Sequence, residues 1–211
     1  MTRLLLIRHG ESIWNADGRW QGQADPPLSD RGREQARAAA AAVGQIDAIV
    51  TSDLQRAAET GAIIARSLGV DHLATDAGLR ERDAGALSGL TRTEIFERFP
   101  GLLADDPAGF VPGDDGEPRW PDDWEPDASL VARVTASLGA IVRLVPDGDV
   151  LVVTHGGVIY AVERDLGSEP RGRLANLQGV TVTATPTGLA LGDRVSLVDP
   201  AGTTPVEADR I

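Results

Sequence analysis

The chain contains no cysteine and no lysine. Without cysteine there can be no disulfide, no thiolate zinc site and no thiol nucleophile. Without lysine, Schiff-base chemistry and the GxxxxGK[ST] phosphate loop are excluded, and all 20 basic residues are arginine. Aromatic residues make up only 4% of the sequence, so the core has to be built from Leu, Val, Ile and Ala. No apolar run reaches the roughly 18 residues a membrane span requires, and residues 4–7 are too few for the apolar part of a secretion signal. These absences point to a soluble, cytoplasmic protein that does not insert in a membrane. Net positive charge is missing as well. A formal charge of −12 repels nucleic acid and anionic lipid, so an anionic partner has to be small.

At 211 residues the chain suits one domain. We assign that domain to residues 1–200, with a cap inserted at about 100–127 and a mobile tail at 201–211. Residues 3–8 read as a buried strand, and 9–27, with Gly, Asn, Asp and two prolines, as a long loop. Ser29 caps a helix over about 30–43, whose alanine run has high helix propensity. A strand at about 47–51 and a helix at about 53–68 follow. Thr91 and Glu94 form a capping box for a short helix ending near Phe99. Between residues 100 and 127 prolines at 100, 107, 112, 118, 121 and 126 exclude regular elements. Asp127 caps the next helix, whose stripe of Leu130, Val134, Leu138, Ile141 and Val145 packs on the sheet. A strand over 149–154, a helix to about Leu166 and two strands about the turn at 185–188 complete the chain. The alternation implies an α/β fold in three layers, α/β/α, with a mainly parallel central sheet.

Two of the three histidines, His9 in "LLLIRHGES" and His155 in "DVLVVTHGG", directly follow apolar strands. Parallel strands end in one crevice, where ligands bind, so the repeated order of strand, histidine and glycine predicts that both face it. His72, in "VDHLAT", lacks that context and is assigned a structural role. Arg8 adjoins His9, and Arg56 lies one turn into the helix after the second strand. Guanidinium forks match phosphate oxygens and stay charged at any working pH. Two convergent histidines with no carboxylate cluster do not make a metal site, so neither metal nor cofactor is expected.

"LIRHGES" resembles the RHG signature of the histidine phosphatase superfamily, which includes cofactor-dependent phosphoglycerate mutases and broad-specificity phosphatases. "WNADGRWQGQADPPLSDRGREQA", "SDLQRAAET", "LRERDAGALSGL" and "VTHGG" resemble later segments of the same family in the same order. The resemblance implies that His9 is the nucleophile that becomes phosphohistidine, and that its other ring nitrogen donates a hydrogen bond fixing the tautomer. It implies that Arg8, Arg56 and His155 surround the phosphoryl oxygens, and that Asn15 contacts them. Gly10, Gly156 and Gly157 would let the backbone approach phosphate. Glu81 matches the family's general acid and base; Glu11, next to the nucleophile, is the rival, and spacing alone does not choose between them.

The implied activity is metal-independent hydrolysis of a small phosphorylated metabolite. A phosphoglycerate mutase and a non-catalytic phosphate-binding protein are the alternatives. Where the mutase branch carries a His-Tyr pair after the acid, this chain has Asp83 and Ala84, although Arg92 stands at a mutase basic position. "EPDASL" replaces the family's Pro-x-Gly-Glu-Ser stretch. Gln21, Gly22, Arg92, Trp120 and Trp124 are candidate pocket residues, the tryptophans as walls of a lid. The lid's carboxylates lead us to expect a substrate whose remainder is neutral or cationic. A homodimer through an edge strand or helix is compatible with such a domain, and no surface is selected.

Overall fold

Strand β1 (Arg3–Arg8) turns Leu4 and Leu6 to one side of the sheet and Leu5 and Ile7 to the other, and both sides are covered. That period of two sorts the core into two layers. The computed structural model describes residues 1–70, 72–104, 110–112, 118–169 and 171–198, apart from the side chains of His72 and Leu73. The expected tail at 201–211, and parts of the expected cap at 105–109 and 113–117, lie outside the described residues.

Along the chain, β1 is followed by α1 (Ile13–Ala16), α2 (Asp30–Val43), β2 (Ala48–Thr51), α3 (Gln55–Leu68) and β3 (His72–Thr75). Two short 3₁₀ turns, Ala77–Leu79 and Gly85–Leu87, lead to α4 (Arg92–Arg98) and α5 (Asp127–Leu144). Then come β4 (Asp149–Thr154), α6 (Gly156–Asp165), β5 (Gln178–Thr185) and β6 (Gly188–Ser196). The six strands form one sheet in the order β3-β2-β4-β1-β5-β6. The first four are mutually parallel, and β5 and β6 are antiparallel additions beside β1. Helices α5 and α6 cover one face through Leu130, Val134, Leu138, Val158 and Ile159. Helices α2 and α3 cover the other through Ala39, Ala40, Ala57 and Ile64. The α/β fold with a mostly parallel central sheet is as expected. Among the described residues no helix is long and apolar enough to cross a membrane.

Two expectations are corrected. The loop at 9–27 contains α1, a single turn held by a capping box in which Ser12 accepts from Asn15 N–H and the Asn15 side chain accepts from Ser12 N–H. Four residues are too few to show helical periodicity, so the sequence pattern could not reveal it. Asp127 is the first residue of α5, not its cap; Pro126 holds the capping position and makes no side-chain bond. The Asp127 carboxylate instead bridges Arg82 at 2.5 Å and Arg164 at 2.7 Å. Ser29 and the Thr91–Glu94 box cap α2 and α4 as expected.

A third, smaller apolar cluster lies apart from the sheet. It joins Leu87, Leu90, Ile95, Leu102 and Leu103 to Trp20, Trp120 and Trp124. This cluster anchors the described part of the proline-rich segment over the ends of the strands.

Candidate active site

The register of two strands creates the site. β1 and β4 are parallel neighbours with Arg8 paired to Thr154, so the next residues, His9 and His155, emerge side by side. His9 N–H donates to Thr154 O at 2.9 Å, which locks that level. The two imidazoles meet edge to face with centroids 5.1 Å apart, and they are 2% and 0% exposed. A pattern seen twice in the sequence thus becomes a pair in space.

His9 has its tautomer dictated by its neighbours. Nδ1 lies 2.6 Å from Gly10 O, which can only accept, so Nδ1 carries the hydrogen. Nε2 lies 3.2 Å from Arg56 Nε, which can only donate, so Nε2 presents its lone pair. Burial first, and then the Arg56 and Arg8 charges, hold the His9 pKa well below 6.5. The ring is neutral, and its one available lone pair, on Nε2, accepts from Arg56 in a residue that borders the cavity. His155 is depressed likewise, by burial and then by Arg56, His9 and Arg8. Among the described residues neither nitrogen of His155 has a hydrogen-bond partner. A neutral imidazole there keeps one N–H without an acceptor and one lone pair without a donor, which is costly in a dry interior.

Arg56 is fully buried on the first turn of α3 and donates to Gly22 O at 2.9 Å and Ala24 O at 2.7 Å. Burial pushes its pKa down to about 10, against the opposing pull of Glu81 and Asp25, so it stays cationic at neutral pH. Arg8, 7% exposed, donates to Leu174 O at 2.7 Å. Burial lowers its pKa too, with Tyr160 and Glu81 opposing.

Glu81 and Glu11 are separated by the fold. Glu81 borders the same cavity as His9, with Oε1 accepting from Arg82 N–H at 2.8 Å and Oε2 from Gly157 N–H at 3.1 Å. Glu11 points to the start of α2, where it accepts from Ser29 Oγ at 2.7 Å. The glycines also have packing roles, and Gly157 lines the cavity. A Cβ on Gly157 would lie 2.2 Å from Glu81 Oε1, so the residue clears space for the carboxylate. A Cβ on Gly10 would lie 2.6 Å from Gly32 O, so Gly10 serves the packing of α2. Gly156 does border the cavity.

The cavity has a volume of about 780 Å³. Asn15, Gln21, Gly22, Arg92, Trp120 and Trp124, all expected near the pocket, line it together with Arg8, His9, Arg56, Glu81 and Gly156; His155, expected to face the crevice, is fully buried beside His9 and is not among the lining residues. Asn15 Oδ1 is engaged by Ser12 N–H at 3.2 Å and Asn176 Nδ2 at 3.4 Å, so its amide nitrogen is the group it can offer an anion. Gln21 Oε1 accepts from Ser12 Oγ at 2.8 Å, and Arg92 donates to Ala104 O at 2.6 Å. Gly22 has φ of +52°, and a Cβ there would lie 2.7 Å from Ala84 Cβ, so both the turn and the close approach require glycine. Trp120 and Trp124 stack in parallel with centroids 4.0 Å apart, and the Arg82 guanidinium lies 5.3 Å from the Trp124 ring centre. Five of the chain's eight aromatic side chains border this one cavity.

The described lining is rich in arginine, while the lid carboxylates at 105, 106, 114, 115 and 117 lie outside the described residues. Among the described residues it holds seven arginines against two carboxylates, Glu81 and Asp127. The only lid carboxylate that reaches the lining among the described residues is Asp127, already shared by Arg82 and Arg164. The sequence reading also missed several contributors. Thr60, one turn after Arg56 on α3, accepts from Gly10 N–H at 3.1 Å; its i+4 spacing was the available signal. Asn176 donates to His9 O at 2.9 Å from a loop 167 residues away in sequence, and nothing local marked it. Arg82, Tyr160 and Arg164 line the cavity from the turn after Glu81 and from α6.

Comparison with known proteins gives a consistent picture. Residues 4–189 match the family model described as the histidine phosphatase superfamily (branch 1). The chain is 36% identical over 165 residues to a metal-independent phosphoserine phosphatase of Arabidopsis thaliana, spanning 77% of this chain and 67% of that protein. It is 39% identical over 163 residues to a probable phosphoglycerate mutase of Enterobacter sp. (strain 638), spanning 74% and 70%. Among solved structures, a mycobacterial glucosyl-3-phosphoglycerate phosphatase in complex with VO3 superposes with a TM-score of 0.75 at 29% identity, covering 90% of this chain and 96% of that one.

Proposed function

Because the chain belongs to branch 1 of the histidine phosphatase superfamily, we propose that it is a metal-independent phosphatase that hydrolyses a small phosphomonoester through a phosphohistidine on His9. The observation that carries this reading is the fixed neutral tautomer of His9, with Nε2 presenting a lone pair beside Arg56 at the wall of a cationic cavity.

In the first step Nε2 attacks phosphorus, the N–P bond forms and the P–O bond to the alcohol breaks. Glu81, protonated, gives its proton to the departing oxygen. Arg8 and Arg56 hold the equatorial oxygens, whose charge is spread in the transition state. His155 donates its otherwise unused N–H to the same oxygens, which removes the cost of its missing partners. In the second step Glu81, now ionised, takes a proton from water. The water oxygen bonds phosphorus, the N–P bond breaks, and inorganic phosphate leaves with His9 neutral again.

Hydrolysis is favoured over mutase transfer by the residues after the acid. Ala84 is 4% exposed, packs against Gly22 and carries no polar group, and the backbone of Asp83 is tied to Glu125. Nothing there replaces the His-Tyr pair that holds phosphoglycerate in the mutase branch. The surplus of arginine in the lining supports a substrate with a further negative charge beyond its phosphate. Phosphoserine and glucosyl-3-phosphoglycerate, for which relatives are named, each carry a carboxylate as well.

The test is turnover of an aryl phosphate, phosphoserine and 3-phosphoglycerate with a chelator present. We expect release of inorganic phosphate, an acid-labile phosphoenzyme on rapid quench, and loss of both with His9→Ala. Activity that survives His9→Ala, or that the chelator abolishes, would overturn the mechanism. Conversion of 3-phosphoglycerate mainly to its 2-phospho isomer would replace phosphatase with mutase.

A further inference from the structure

Glu81 sits in a segment without regular backbone pairing, yet its carboxylate has to be held within hydrogen-bond reach of a leaving oxygen. A displacement of about 1 Å at such a group can cost about 10²-fold in rate. What holds the segment is a side chain from another layer. Arg133, on the second turn of α5, donates from Nη1 to Gly78 O at 2.8 Å and Arg80 O at 2.6 Å, and from Nη2 to Glu81 O at 2.9 Å. Thr154 Oγ donates to Leu79 O at 2.8 Å. Four consecutive carbonyls, from residue 78 to residue 81, are thus satisfied by two side chains, three of them by Arg133.

Arg133 is itself fixed by Glu125, through Nε to Oε1 at 2.7 Å and Nη2 to Oε2 at 2.8 Å. This two-point fork suits the planar geometry of both groups, and the carboxylate is only 11% exposed. Glu125 reaches the far side of the turn as well. Its Oε2 accepts from Asp83 N–H at 3.0 Å, its own N–H donates to Asp83 O at 3.0 Å, and its carbonyl accepts from Arg82 at 2.5 Å. The turn also lies flush on α5, because a Cβ on Gly78 would come within 2.1 Å of Ser137 Oγ. Neither Arg133 nor Glu125 borders the cavity.

We propose that Arg133 and Glu125 are positioning residues for proton transfer: their ion pair clamps residues 78–83 from both ends so that the Glu81 carboxyl faces the leaving oxygen beside Gly157. The proposal rests on Glu81 being the proton donor of the phosphatase reading. It places the determinant of acid catalysis in α5, outside the cavity.

Leaving-group dependence tests it, since a 2,4-dinitrophenolate departs without a proton and an alkoxide does not. The quantity to follow is kcat/KM, which reports the step that cleaves the ester. In Arg133→Met, kcat/KM for an alkyl phosphate is expected to fall at least about tenfold further than for 2,4-dinitrophenyl phosphate. Inhibition by inorganic phosphate should stay within about threefold of the parent protein, because the phosphate-holding groups are untouched. Glu125→Gln should give the same selectivity to a lesser degree, Arg133→Lys should fall between, and Glu81→Gln should reproduce the pattern in full. Equal losses on both substrates, no loss on either, or a Glu81→Gln variant without selectivity would overturn the proposal. Failure of the phosphohistidine reading is seen separately, as turnover or phosphoenzyme surviving in His9→Ala.

Discussion

His9 and His155 are kept neutral by burial and by the arginines beside them, and this links folding to pH. Both pKa values are lowered in the folded protein, so the unfolded chain binds the extra protons as pH drops below the usual 6.5. Stability from this source is therefore complete above that value. Below it, about 1.4 kcal/mol per pH unit is lost for each histidine until the depressed folded-state values are reached. Urea titrations above and below that pH should show a drop that is smaller in His9→Asn combined with His155→Asn; an unchanged drop would refute the assignment. Arg56 carries structure and chemistry together. Arg56→Met would leave the carbonyls of Gly22 and Ala24 without donors, at about 1–3 kcal/mol each, so we expect a loss of about 2–6 kcal/mol in unfolding free energy. The kcat/KM for aryl phosphate should fall by at least about 10² as well, because a charge on the phosphoryl oxygens is removed.

Helix α3 delivers Arg56 and Thr60 to the site, and its distance from the sheet is set by one small residue. A Cβ on Gly61 would meet Thr51 Cγ2 at 2.3 Å, with Ile49 and Val153 close behind. Gly61→Ala should push α3 away from β2, cost about 1–3 kcal/mol in chemical denaturation, and lower turnover through Arg56. Wild-type stability and activity in that variant would show that the helix can shift at no cost. How well each element could be foreseen depended on whether its signal was local. Helices α2 and α4 announce themselves through Ser29 and the Thr91–Glu94 box, and the apolar stripe of α5 was legible from its spacing. Helix α1 was not, being a single turn. The role of Asp127 was misread because two arginines, on the turn after Glu81 and on α6, recruit its carboxylate.

The molecule as a whole is acidic, at −12, while among the described residues its cavity gathers seven arginines against two carboxylates. The surrounding field repels anions and the cavity attracts them, so capture should depend on screening. For a substrate carrying both phosphate and carboxylate, kcat/KM is expected to fall several-fold as salt rises from about 0.02 to 0.5 M, with kcat little changed. The fall should be weaker for an aryl phosphate with a neutral leaving group. Equal salt dependence for the two would argue that the lining arginines other than Arg8 and Arg56 do not act on the substrate.

Composition and local pattern were enough to establish the α/β class, the two strand-histidine junctions and the arginines beside them. Each of these is written in neighbouring residues, through apolar runs that must form buried strands and through the abrupt polar ends of those runs. The pairing of His9 with His155 depended on β1 and β4 lying adjacent in register, which no short segment encodes. That Glu81, the carboxylate matching the family's acid, borders the cavity while Glu11 turns to Ser29 depended on how the turns pack. The charge of the described lining followed from which side chains converge there, which a count over the proline-rich segment could not show. No local pattern marks Arg133, whose role depends on packing that sets the carbonyls of 78, 80 and 81 within reach of one guanidinium. Such convergence comes from burying both faces of the sheet, which brings distant residues together.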